Sequence, residues 1–235
     1  MLEILPDDFD WEFYLSYHKD LKDYGLKKEE GARWHYSFYG YDEGRHYKNE
    51  ITFIVPSINR PTIERTIESL YNQTNPNWKC ILIYDDVDGM HFNDSRIKII
   101  KSEKRGVMGE RNHGQAGLVR NVGLEICKSP WIGFLDDDDT IDPLYVETLF
   151  KKYNAYDFVV WRMIHKNGYI VPPLDFTNEI KFFKVGISFC YKNKFDNFYF
   201  ENNRDGEDFD FLKRLQSLTD NYIITPEIFY YVHRY

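Results

Sequence analysis

From Ile51 onward the chain alternates short apolar runs with stretches whose apolar residues recur every three or four positions. Ile51 to Val55 is an unbroken β-branched and aromatic run that stops at Pro56, which predicts a buried strand. Thr62 to about Asn72 sets Ile63, Ile67 and Leu70 on one face and predicts a helix. Lys79 to Tyr84 predicts a second strand ending at Asp85-Asp86, and Arg96 to Lys101 a shorter third. After a polar stretch containing Gly106, Gly109, Gly114 and Gly117, the residues Leu118, Val122 and Ile126 step along a helix to Cys127. Trp131 to Leu135 is a fourth strand, and it runs straight into Asp136-Asp137-Asp138-Asp139. Asp142 and Pro143 read as the N-cap and first position of the next helix. Further on, Asp157 to Ile164, Phe182 to Tyr191 and Ile228 to His233 predict strands, and Glu207 to about Gln216 a helix.

Alternation of this kind predicts an α/β domain with a mainly parallel sheet covered by helices. In open sheets of that type, ligands sit beyond the carboxyl ends of the strands. Pro56-Ser57, Asp85-Asp86 and Asp136 to Asp139 all fall at such ends, so one rim should carry all three. Residues 1–48 have a different texture. Asp10 can cap a helix reaching about Asp23, with Trp11, Tyr14, Leu15, His18 and Leu21 at helical spacing. A second helix from about Lys28 can end at Gly40. Residues 1–48 are therefore expected to form a small helical module, and residues 49–235 the main domain. No catalytic arrangement stands out in the module, whose His and Arg residues read as packing groups.

Composition changes this picture in three places. Aromatic residues make up 18% of the chain, with 19 Tyr and 18 Phe, so rings should build much of the core. The net charge of -8 and the lack of a Lys/Arg stripe speak against a nucleic-acid partner. A small anionic ligand stays compatible, because a metal ion and a few arginines can neutralise it locally. Cys80, Cys127 and Cys190 are far apart in apolar segments, which fits buried, reduced thiols better than a zinc site. No window approaches the ~18 apolar residues a membrane span requires, and the first residues lack the basic start of a secretory signal. The expectation is a cytoplasmic chain with no transmembrane segment, meeting a membrane only peripherally if its substrate is there.

The four adjacent aspartates carry the strongest chemical signal. Crowded carboxylates repel one another and raise each other's pKa unless a cation offsets them. A hard divalent ion such as Mg2+ or Mn2+, held by one or two carboxylates and ligand phosphates, is the natural partner. An acidic helix-capping turn is the simpler alternative, and Asp142 fits it.

Five segments, taken in order, resemble the family-two glycosyltransferases, which have the GT-A fold, a Rossmann-like mixed α/β sheet that binds nucleoside-diphospho-sugars. They are Thr52-Phe-Ile-Val-Pro-Ser57 with Arg60-Pro61 and Ser69-Leu-Tyr-Asn-Gln-Thr74; Ile81-Leu-Ile-Tyr-Asp-Asp86; Arg120-Asn121-Val-Gly-Leu124; Phe134-Leu-Asp-Asp-Asp-Asp139; and Gly206-Glu-Asp-Phe-Asp-Phe-Leu212. The resemblance implies transfer of a sugar, with inversion, from a nucleoside diphosphate (UDP favoured) to a hydroxyl on a glycan or glycoconjugate. It implies Asp208, or less favourably Glu207, as the base; Asp138 and Asp136 as metal ligands; and Asp136, Asp137 and Arg120 on the nucleotide. Asp85 would accept a hydrogen bond from the base, with Pro56, Ser57 and Asn59 lining that pocket. A late histidine joins the metal shell in several related enzymes, which nominates His233. Tyr14, Asp20-Leu21, His35-Tyr36, Gly40 and Glu43-Gly-Arg45 also resemble a small helical module attached to some glycosyltransferases of bacteria and large DNA viruses.

Three other readings compete. Leu135-Asp136-x-Asp138-x-Thr140 fits the nucleophile motif of haloacid-dehalogenase-type phosphatases, but that fold begins with this strand, whereas here two strand–helix units precede it. A sugar nucleotidyltransferase needs a glycine-rich, Arg-containing loop after the first strand, which is absent after Val55. A non-catalytic sugar-nucleotide-binding protein on the same scaffold is the third.

Overall fold

The computed structural model describes residues 5–106, 116–177, 179–202 and 206–234. Gly109 and Gly114 of the polar stretch, and residues 203–205 ahead of Glu207, lie outside them. By internal contacts the chain divides after Glu50.

The first unit holds α1 (Trp11–Tyr17), α2 (Asp20–Asp23), α3 (Glu29–His35) and a π-helical turn, Tyr36–Gly40. Asp10 caps α1 as expected, accepting from the Phe13 N–H at 2.9 Å. The single helix expected to run to Asp23 breaks at His18, whose backbone leaves the helical region at φ −92°, ψ 84°. The residues that carry this unit's resemblance meet in its own core. Tyr14 is fully buried, its hydroxyl lies 2.9 Å from His35 Nδ1, and a side chain at Gly40 would collide with its ring. Arg45 pairs with Asp20 at 2.8 Å and with Glu43 at 2.5 Å.

The second unit contains β1 (Ile51–Ser57), α4 (Ile63–Tyr71), β2 (Trp78–Asp85), β3 (Ile97–Ser102), α5 (Ala116–Ile126) and β4 (Trp131–Phe134). Next come β5 (Thr140–Ile141), α6 (Tyr145–Thr148), β6 (Phe158–His165), β7 (Ile170–Val171), β8 (Phe189–Lys192), α7 (Glu207–Leu218) and β9 (Tyr222–Val232). Among the described residues they form one nine-stranded sheet in the order β3-β2-β1-β4-β8-β6-β9-β5, with β7 on β6. Strands β3, β2, β1 and β4 are parallel. β8 runs antiparallel to both β4 and β6, and β6 is parallel to β9, so the sheet is mixed.

Rings fill the core, as the composition predicts. Phe134, Phe189 and Phe211 are buried together, and Phe211 meets Phe200 at 4.4 Å and Phe198 at 4.6 Å. α5 lies so close to the sheet that a Cβ on Gly123 would stand 2.7 Å from Ile54. Cys80 and Cys190 are buried and Cys127 half-buried, and none of the three is in a disulfide.

Candidate active site

The rim opens where β1 and β4 part. Their pairing ends at Ile54 with Phe134, and the last seam bond is Leu135 N–H to the Ile54 carbonyl at 3.3 Å. Backbone groups alternate sides along a strand, so position 56 also faces β4, and Pro56 has no N–H to offer there. The aspartate run therefore leaves the sheet at this point and turns back on itself, with Asp139 N–H donating to the Asp136 carbonyl at 3.1 Å. Helix α4 holds the turn from outside. Arg65 donates to the Asp138 carbonyl at 2.7 Å and Thr66 to the Asp139 carbonyl at 2.8 Å. Two neighbouring rim residues, Asn59 and Asp86, sit in the left-handed region at φ 61° and 60°. Asn and Asp tolerate that region better than other side chains.

Each carboxylate of the run has a different partner. Asp136 lies 2.5 Å from Arg120 on α5, and its N–H donates to the Tyr230 hydroxyl at 3.1 Å. Asp137 turns into the wall, accepting from Ser57 at 2.7 Å and from Arg60 at 2.6 Å. Burial raises the Asp137 carboxyl above its ordinary value, with Ser57 and Arg60 opposing. Asp138 is forked by Arg234, with Nη2 2.6 Å from Oδ1 and Nε on Oδ2, and Arg60 stands 3.4 Å away. Asp139 accepts from the His233 N–H at 3.1 Å, and burial pushes its carboxyl up to about 7, with Asp136 and Asp138 adding to the rise.

Oxygens of Asp136, Asp138 and Asp139 lie within 4.8 Å of one another, a set of hard oxygen donors that suits Mg2+ or Mn2+. Asp139, to which the sequence assigns no role of its own, stands in that group, and His233 does not. The His233 ring instead places Nε2 2.9 Å from the Thr140 hydroxyl.

Across the cleft, α7 begins at Gly206, whose φ of 81° and contact with Phe182 both demand glycine. Glu207 is committed to α5: its carboxylate accepts from the Gly117 N–H at 3.0 Å and from Arg120 at 2.8 Å. Asp208 is left with a buried Oδ1 that has no hydrogen-bond partner among the described residues, 3.9 Å from Arg120. Burial pushes the Asp208 carboxyl up to about 7; Arg120 opposes the shift, while Glu207 and Asp136 reinforce it.

Arg120 thus joins the two sides. Its side chain is 3% exposed and touches Asp136 on one side and Glu207 on the other. The sequence-based expectation set it on the nucleotide; the structure sets it among carboxylates. Arg120→Met takes the counter-charge from Glu207 and leaves Asp136 only Arg234, 3.6 Å away, and loss of one partner of a buried pair typically costs about 3–5 kcal/mol. Chemical denaturation should show a loss of that order at neutral pH.

Asp85 is also engaged. Its carboxylate accepts from Arg105 N–H at 2.6 Å, Gly106 N–H at 3.1 Å and Lys104 at 2.9 Å. Ser57 Oγ accepts from the Asn59 N–H at 2.9 Å, which ties these two expected pocket residues together in the turn after β1. Arg60, Arg65, Thr66, Tyr230 and Arg234 were not singled out as site residues from the sequence. Only Arg60, beside Pro61 in the first resembling segment, carried a local signal.

The mixed sheet with its acidic turn beyond the parallel strands is the GT-A fold. Residues 52–202 match the family described as "Glycosyl transferase family 2", and the chain belongs to that family. This membership sets aside the phosphatase reading of Asp136 and Asp138. Among relatives, the chain is 27% identical over 208 residues to the poly(ribitol-phosphate) beta-N-acetylglucosaminyltransferase TarP of Staphylococcus aureus, covering 78% of this chain and 62% of TarP. It is 30% identical over 135 residues to the putative teichuronic acid biosynthesis glycosyltransferase TuaG of Bacillus subtilis, covering 55% of this chain and 52% of TuaG. The S. aureus TarS 1–349 structure superposes with a TM-score of 0.60 at 20% identity, over 78% of this chain and 60% of that one. A TarS 1–349 structure in complex with UDP-GlcNAc gives 0.58 at 19% identity, over 79% and 59%. The chain spans less than two thirds of the length of these relatives. No helix among the described residues is long and apolar enough to cross a membrane.

Proposed function

We propose that residues 49–235 form the catalytic domain of an inverting, metal-dependent glycosyltransferase that uses a nucleoside-diphosphate sugar, UDP-sugar first, and a glycan or glycoconjugate hydroxyl as acceptor. The observation that carries the reading is the split between rim aspartates hydrogen-bonded to arginines and Asp208, whose buried Oδ1 has no hydrogen bond among the described residues. Asp136, Asp138 and Asp139 offer a hard oxygen set at the rim, while Asp208 keeps an unpartnered, buried carboxylate oxygen across Arg120. When bound, a divalent ion held by Asp138 and Asp136 supplies charge neutralisation for the departing diphosphate.

The chain's own residues do the rest. Asp208 takes the proton from the acceptor hydroxyl, and its raised pKa suits a base working near neutral pH. Arg120 keeps Asp136 and Glu207 in place and, at 3.9 Å, favours the ionised form of Asp208. Glu207 bridges α5 and α7 as a positioning residue and is a poor base while its oxygens are occupied. Pro56, Ser57, Asn59 and Asp85 shape the nucleotide side, and residues 1–48 form a separate helical module. The UDP assignment draws on the UDP-GlcNAc complex of TarS.

A thermal-shift series with UDP, GDP and dTDP, each with and without Mn2+, tests the donor reading. A ligand that binds only the native state stabilises it by about 2.7 kcal/mol at one hundred times its Kd. UDP with Mn2+ should raise the melting temperature most; equal shifts from all three nucleotides would sink the UDP assignment. Release of UDP only when an acceptor is present separates an enzyme from a binding protein.

A further inference from the structure

Arg234 uses the carboxylate atoms that a divalent ion would need. Its guanidinium closes a fork over both oxygens of Asp138, with Nη2 2.6 Å from Oδ1 and Nε on Oδ2. Nη2 also stands 3.6 Å from Asp136 Oδ2, so Arg234 bridges two members of the candidate metal group. Forked arginine–carboxylate pairs are among the stronger charge-assisted contacts. A divalent ion binds carboxylate oxygen at about 2.0–2.1 Å and holds its ligands in a fixed geometry. An ion seated between Asp138 and Asp136 competes with the fork for these oxygens and meets the positive charge of the guanidinium beside them.

Three arginines reach the carboxylates of Asp136, Asp137 and Asp138, and Arg234 is held unlike the other two. Arg120 is 3% exposed and lies within α5. Arg60 gives its closest contact to Asp137, at 2.6 Å, and stays 3.4 Å from Asp138. Arg234 is 43% exposed and follows the last paired residue of β9, Val232, so its side chain can leave without breaking the ladder.

We propose that Arg234 is a displaceable counter-cation: it neutralises Asp138 and Asp136 before metal arrives, and it must be evicted for metal to bind. The inference rests on the metal-binding reading of Asp138 given above. A resident occupant also lowers the apparent metal affinity by the fraction of time the site is free.

Calorimetric titration of the full chain with Mn2+ alone tests it, using wild type, Arg234→Lys and Arg234→Gln. The lysine variant keeps the charge but loses the fork, which separates occupancy from a general field effect. Both variants should bind Mn2+ more tightly, Arg234→Gln by about tenfold if the fork occupies the site nine-tenths of the time. Tightening in Arg234→Gln with none in Arg234→Lys would reduce Arg234 to a field effect and overturn the proposal. Unchanged or weaker binding in both would overturn it too. A second readout does not depend on any variant's stability. In 15N-arginine-labelled wild type, the Arg234 Nε–H resonance should shift or vanish as Mg2+ saturates the site, and a resonance unmoved at saturation overturns the proposal. If Mn2+ binds none of the three proteins, the metal reading itself fails; if it binds all three equally, only the role of Arg234 falls.

Discussion

Asp208→Asn is expected to lower sugar transfer by about 10²–10⁴-fold, the usual contribution of a positioned general base, with UDP affinity unchanged. Two properties of Asp208 make the effect large. Its Oδ1 is buried with no hydrogen-bond partner among the described residues, so its lone pairs are not spent on the protein. Its carboxyl is pushed up to about 7 by burial, with Arg120 opposing, so the ionised form is a stronger base than a surface aspartate. In wild type, kcat/KM should therefore climb as pH rises through about 7 and then level off. The residual activity of Asp208→Asn should lack that limb. The stability sign is the reverse. A carboxyl whose folded pKa is raised binds its proton more tightly in the folded state, so it destabilises the fold as pH rises from the ordinary carboxylate range through about 7. Asp208→Asn should thus melt no lower than wild type at pH 8, and relatively higher there than at pH 5. A variant that keeps wild-type turnover, or loses it only by unfolding, would remove Asp208 from the role.

Glu207, its sequence neighbour, separates the two acids by geometry alone. In sequence both are acids opening a helix. In space Glu207 spends its oxygens on Gly117 and Arg120, whereas Asp208 Oδ1 has no hydrogen bond among the described residues. Glu207→Gln should keep the pH limb that Asp208→Asn loses.

What was legible in the sequence follows from which forces are local. The four parallel strands were readable because each is an apolar run closed by a polar turn, and Asp10 because an N-cap acts within one turn. β9 was longer than expected, starting at Tyr222 rather than Ile228, because Pro226 interrupts its sequence. β9 bulges around Pro226, where Val160 and Arg162 of β6 pair with Ile224 and Ile228, and this absorbs that interruption. Phe182 to Tyr191 reads as one strand, yet only Phe189–Lys192 pairs. Phe183 takes a positive φ of 59°, and Phe182 is spent covering Gly206 and Phe209. The acidic residues could be nominated because they cluster along the chain. Which arginines would pair with Asp137 and Asp138 could not be read off: Arg60 lies 77 residues from Asp137 and Arg234 lies 96 from Asp138. Asp142 was expected to open the next helix. It caps a turn instead, accepting from the Leu144 N–H at 2.9 Å one turn ahead of α6.

Asp138→Asn should be as damaging as loss of the base, but with a different signature. Charge neutralisation at a leaving diphosphate is worth several kcal/mol, and each 1.36 kcal/mol is a factor of ten in rate, so a loss of about 10³-fold is expected. EDTA should abolish wild-type transfer, and Mn2+ or Mg2+ should restore it. In Asp138→Asn the apparent metal affinity should fall, and excess Mn2+ should recover part of the rate, whereas no metal concentration should rescue Asp208→Asn. The asymmetry follows from placement: Asp138 shares its cluster with Asp136 and Asp139, whose oxygens lie within 4.8 Å, while Asp208 has no second carboxylate free to replace it. Asp137 supplies the control. Its oxygens are taken by Ser57 and Arg60 in the wall of the turn, so Asp137→Asn should lower the melting temperature without changing the metal requirement. Transfer that survives EDTA unchanged would show that the three guanidiniums around the run suffice for the leaving group, and the metal assignment of Asp138 would have to be abandoned.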